Sequence, residues 1–253
     1  MEPQRLDGDD EQEPPLGIME EQIKVGILLF NGFEVLDVFG PIEMFGNSLH
    51  FEICTISEKE KTIRSAQGHT TIVVDHTFDD CPAMDWILVP GGPGTRKEVN
   101  NEALIRWIQN QSKKSSTVFS VCTGAALLAK AGVLDGKKAT TNKKAFRWVV
   151  DQGPEVNWIP CARWVEDGKF VSSSGVSVSP PTHIPPHFSY CHRTYFLTNN
   201  YLLPNSQAGM DAAIYLIRRE FGEEESESVS TYAEYEARKD PSWDPFAKIH
   251  GLI

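Results

Sequence analysis

Apolar positions fall into runs of two kinds. "IKVGILLF" (Ile23–Phe30) is almost unbroken, the pattern of a strand buried on both faces. "NGFEVLDVFGPIEMFG" follows. Asn31-Gly32 predicts a turn, and Val35, Leu36, Phe39, Ile42 and Phe45 predict one helical stripe, with Pro41 kinking the helix or limiting its register. His50–Ser57 reads as a second strand, and Thr70–Phe78 alternates like a short strand or hairpin arm. Asp85–Gly92 is a third buried strand that ends in two glycines. Asn101–Lys114 carries Leu104, Ile105 and Ile108 on one helical face. "STVFSV" (Ser116–Val121) is the next strand, and a helix opens just after Cys122. Lys143–Val150 predicts a short helix. "ARWVEDGKFVSSSG" predicts a hairpin turning at Asp167-Gly168, and Ala208–Gly222 an amphipathic helix capped by Gly222.

Alternating helices and apolar strands call for an α/β domain, a mostly parallel sheet covered by helices on both faces. Ligand sites in such sheets lie beyond the carboxyl ends of the strands. Three features fall there: Asn31–Asp37, Gly91-Gly92 and Cys122. Residues 1–20 are acidic and Pro-containing and read as a solvated tail, with Met19 an alternative start. The domain is expected over 21–222 and a tail over 223–253, in which Trp243 and Phe246 anchor an extended chain to the body or to a dimer partner.

Composition narrows the class. The formal net charge of −11 over 253 residues argues against binding nucleic acid through a basic surface. No apolar run approaches the ~18–20 residues of a membrane-spanning helix. Five cysteines at wide spacing, with no signal segment, predict reduced thiols in a cytoplasmic protein. No His/Cys spacing builds a zinc site, so neither a metal nor another cofactor is expected.

Cys122 stands between a strand and a helix, followed by Thr123, Gly124 and Ala125. A tight turn there presents the thiol at the sheet edge, where unpaired N–H groups of the first helical turn stabilise a thiolate or a developing negative charge on a substrate. Small neighbours permit close approach, as in a nucleophile elbow with Cys for Ser. A buried packing cysteine is the competing reading, and local pattern alone does not choose between them.

"LVPGG", "VFSVCTGAALLAKAGVLDGKKATT" and "NGFEVLDVFGP" together resemble the DJ-1/PfpI superfamily, most closely its branch of isonitrile hydratases and fungal-type proteins. The resemblance covers about 22–177 and 208–222. It implies a flavodoxin-like three-layer sandwich, a strained elbow at Cys122, and an acid from the first helix, Asp37, bonded to that cysteine. It makes Gly91 and Gly92 oxyanion-hole glycines, with Gly124 beside them, and implies a small-molecule substrate and a homodimer. Several branches place a histidine shortly after the cysteine; here that region reads "ATTNKKAF". The departure weakens protease, glyoxalase and deglycase readings and suits isonitrile hydration, with Cys122 as nucleophile, Asp37 moving the proton and Thr123 orienting a step. The alternatives are a redox-sensing, stress-response thiol without turnover, or glyoxalase- or deglycase-type activity on reactive carbonyls. A DNA-binding regulator is discounted, since an acidic segment follows "AGMDAAIYLIRREFG".

Val178–Gln207 fits none of this. It is Pro-rich, aperiodic and long for a loop inside a compact domain. Joining its flanks gives "SSGVSAGMDAA", and Val178-Ser179 and Gln207 permit codons with splice-signal sequences. We read it as translated intron. The competing reading is an insertion forming a lid, or a metal site from His183, His187, Cys191 and His192.

Overall fold

A computed structural model describes residues 21–175 and 207–253. The acidic tail 1–20 and nearly all of Val178–Gln207, with its histidines and Cys191, lie outside the described residues.

The main sheet is built from β1 (Ile23–Leu28), β2 (Phe51–Ser57), β5 (His76–Thr77), β6 (Trp86–Val89), β7 (Thr117–Val121), β10 (Trp164–Asp167) and β11 (Phe170–Ser173). Its order is β10-β11-β7-β6-β1-β2-β5. Every neighbouring pair is parallel except the β10–β11 hairpin. The central strands β6 and β7 are buried at every residue, which is why they read as continuous apolar runs rather than alternating ones. The Thr70–Phe78 stretch divides: β4 (Thr71–Val73) pairs with β3 (Thr62–Arg64) in a side hairpin, while β5 adds to the sheet edge. The small ladder β8 (Lys138–Ala139) with β9 (Asn157–Trp158) completes the strands among the described residues.

Helices cover both faces in a flavodoxin-like, three-layer α/β arrangement. One group is α1 (Val35–Gly46), α6 (Ala208–Phe221) and α7 (Glu223–Tyr232); the other is α2 (Thr95–Glu98), α3 (Glu102–Lys114), α4 (Gly124–Lys130) and α5 (Phe146–Val150). Asn101 caps α3 by accepting from the N–H groups of Ala103 and Leu104.

The α1 stripe differs from expectation. The buried side is Asp37, Val38, Pro41, Met44 and Phe45, while Leu36 and Phe39 stand more than a third exposed. A buried carboxyl on the inner face rotates the helix away from its most apolar register. The hairpin turns one residue later than expected, at Gly168-Lys169, because Asp167 pairs with Phe170. The C-terminal segment is not an extended chain held by aromatics. It contains α7 and α8 (Pro245–Ile249), and Trp243 is half exposed. Backbone bonds fix it instead, with Arg163 N–H donating to Pro241 O at 2.7 Å and Asp244 N–H to Cys161 O at 2.7 Å.

Candidate functional site

Cys122 has φ +58°, and apart from glycines only Glu234 shares that sign among the described residues. An L-residue there is strained and persists only where its surroundings fix it. The fixing contacts are close. Cys122 N–H donates to Ser173 O at 3.0 Å, and Thr141 Oγ1 donates to Cys122 O at 2.8 Å. A Cβ on Gly175 would stand 2.3 Å from that of Cys122, and one on Gly124 would stand 2.0 Å from Val89 O. Both glycines are therefore required by approach of backbone to backbone.

The residues singled out from the sequence come together. Asp37, fully buried, hydrogen-bonds the Cys122 thiol, and its Oδ2 accepts from Gly91 N–H at 3.1 Å. Gly92 N–H donates to Thr123 Oγ1 at 3.0 Å. Gly91 and Gly92 thus hold the acid and the hydroxyl through N–H groups already paired within the protein. Thr95 joins them: its Oγ1 donates to Gly92 O at 2.7 Å and lies 3.2 Å from Thr123 Oγ1. Thr95, Thr141, Ser173 and Gly175 carry no sequence signal of their own; only the tertiary fold brings them to the elbow.

The electrostatics reverse one expectation. Burial pushes the Cys122 thiol well above its usual range, and the charge of Asp37 pushes the same way. The Thr123 N–H pulls it down, as the helix-start argument requires, but desolvation outweighs it. At 6% exposure the thiol holds its proton beside the Asp37 carboxyl.

The described histidines lie elsewhere. His50 stacks on Phe221, His76 belongs to β5, His69 precedes β4 and His250 follows α8. Among the described residues no cluster of His, Cys, Asp and Glu could hold a metal, and no helix is long and apolar enough to cross a membrane. A polar cavity of about 340 Å³, lined by Asn31, Glu58, Glu60, Glu98 and Asn101 among others, opens past the ends of β1 and β2. Neither Cys122 nor Asp37 lines it.

A family model, the DJ-1/PfpI family, matches residues 23–181. Isonitrile hydratase of Pseudomonas putida is 32% identical over 61% of this chain and 66% of its own length. Deglycase TK1284 of Thermococcus kodakarensis is 33% identical over 60% of this chain and 89% of its own. The transcriptional regulator GbdR of Pseudomonas aeruginosa is 25% identical over 84% of this chain; the chain spans only 50% of that regulator and just under two thirds of the hydratase. Among solved structures, a ThiJ/PfpI family protein from Pseudomonas syringae superposes with a TM-score of 0.70 at 21% identity, covering 90% of this chain and 84% of that one.

Proposed function

Because the chain belongs to the DJ-1/PfpI family, we propose that it is an enzyme in which Cys122 attacks a small electrophile while Asp37 moves the proton, and that the electrophile is an isonitrile. The observation that carries this reading is the buried hydrogen bond between the Cys122 thiol and the Asp37 carboxyl. A nucleophile that keeps its proton until substrate arrives needs a base in contact, and Asp37 is that base.

The steps balance. The thiol proton passes to Asp37 as sulfur bonds to the terminal isonitrile carbon. Asp37 returns the proton to that same carbon, leaving a thioimidate. Water adds to the thioimidate carbon, and Asp37 relays one of its protons to nitrogen. The C–S bond then breaks, the hydroxyl proton returns to sulfur, and an N-substituted formamide leaves. One carbon accepts both nucleophile and proton, so a single carboxyl suffices and no histidine is needed.

A reactive carbonyl is the second reading, favoured by the deglycase match over 89% of that relative. Thiol addition to an aldehyde uses the same pair. A redox-sensing thiol fits less well, since sensor cysteines are exposed and low in pKa, whereas Cys122 is buried and raised.

A panel of isonitriles beside methylglyoxal, run on wild type and Cys122→Ala, tests the proposal. Formamide produced by wild type alone supports it. Methylglyoxal consumed without formamide selects the carbonyl reading, and isonitrile hydration surviving in Cys122→Ala removes the cysteine mechanism. A homodimer and a cytoplasmic location belong to the same proposal. Leu36 and Phe39 on the outer face of α1 give a dimer an apolar surface, and sedimentation velocity reads the assembly directly.

A further inference from the structure

Asp244 is 1% exposed, and the reaction above does not use it. Its Oδ2 accepts from Ser174 Oγ at 2.5 Å, and its Oδ1 accepts from Phe246 N–H at 2.9 Å, capping α8. Ser174 N–H donates to Arg163 O at 2.8 Å, and Arg163 N–H donates to Pro241 O at 2.7 Å, so the strand end and the C-terminal segment are tied together by a second route. Ser174 sits between the two residues that press on the elbow. Ser173 O takes the Cys122 N–H, and Gly175 lies against the Cys122 backbone and Cβ. The opposite wall has a brace of its own nearby. Lys143, buried within electrostatic range of Asp244, donates to Thr140 Oγ1 at 2.6 Å, and the adjacent Thr141 holds the Cys122 carbonyl.

We infer that Asp244 is a positioning residue for Cys122: its bond to Ser174 sets how tightly Ser173–Gly175 press on the elbow, and so the burial of the sulfur and its contact with Asp37. The inference rests on Cys122 being the reactive thiol, and not on which electrophile it meets. The sign follows from the site. Burial and the charge of Asp37 both push the thiol up. A relaxed wall weakens both, so the sulfur ionises more readily and reacts faster.

The experiment is a double-mutant cycle on the full chain: wild type, Ser174→Ala, Asp244→Asn and the double variant. Iodoacetamide labelling of Cys122 at pH 8 is followed by peptide mapping, with Cys81 on the far edge of the sheet as internal reference. Each single variant is expected to label Cys122 roughly tenfold faster, the change that one pH unit in thiol titration produces. The double variant is expected to label no faster than the singles, and Cys81 to stay unchanged. An unchanged Cys122 rate in folded Ser174→Ala overturns the inference. So do additive effects, or a parallel rise at Cys81, which marks general loosening. A wild-type thiol too slow to label supports it when the variants label, and overturns it when they do not. Should Asp244→Asn fail to fold, Ser174→Ala decides, because it leaves the α8 cap and the bond to Cys161 in place. Turnover is assayed separately: a wild type inactive on isonitriles ends that substrate reading and leaves the labelling comparison standing.

Discussion

Asp37→Asn keeps an acceptor for the Gly91 N–H but cannot relay a proton. Turnover of the responsive substrate is expected to fall by on the order of 10²-fold or more, with little change in melting temperature; steady-state kinetics beside a thermal scan checks both. Gly124→Ala tests the other half of the site. Its Cβ would stand 2.0 Å from Val89 O, a backbone atom with no rotamer to yield. A loss of about 1–3 kcal/mol or more is expected, read as a shift of the urea midpoint. Lys143 gives a pH dependence. Burial lowers its amine from the usual 10.5 to about 8. Between those values the unfolded chain holds a proton that the folded chain does not, so this group's contribution makes stability rise with pH from about 8 to 10.5. Below pH 8 the full penalty, on the order of 3 kcal/mol, is present. Lys143→Met, compared with wild type by urea unfolding, should gain most at pH 7 and lose that advantage by pH 10.5.

At the scale of elements, each central strand was legible because burial on both faces leaves no polar alternation to confuse. The elbow was legible too: a buried strand, one cysteine and three small residues state their geometry locally. The orientation of α1 was not. Periodicity puts Leu36 and Phe39 in the core, and only the family resemblance sets Asp37 inward, where the Gly91 N–H and the Cys122 thiol meet it. Nor was the role of the C-terminal helices. Ser174 and Asp244 are separated by 70 residues, and neither belongs to a motif. Local pattern carries the strand ends where chemistry sits, and says nothing of contacts that exist only once distant segments have packed.

For the whole molecule, a buried ion pair joins the sheet to its C-terminal layer. Arg163 meets Asp211 with both side chains fully buried, and Asp211 Oδ1 also accepts from Tyr235 Oη and Arg238 N–H, each at 2.8 Å. Asp211→Ala leaves the guanidinium without this carboxylate and is expected to cost about 3–5 kcal/mol, measured by chemical denaturation. The translated-intron proposal for Val178–Gln207 belongs to this scale also. Sequencing the mature transcript is expected to show Ser177 codons joined directly to those of Ala208, and a message retaining the segment ends the proposal.

The bond from Asp244 to Ser174 also has a consequence for how the protein is made. A ribosome adds roughly 5–20 residues per second and completes the amino-terminal part first. The strand that delivers Cys122 therefore emerges well before residue 244, and through that interval the sulfur has its elbow but not the brace behind it. A nascent or carboxyl-truncated chain should thus expose a looser thiol than the finished one.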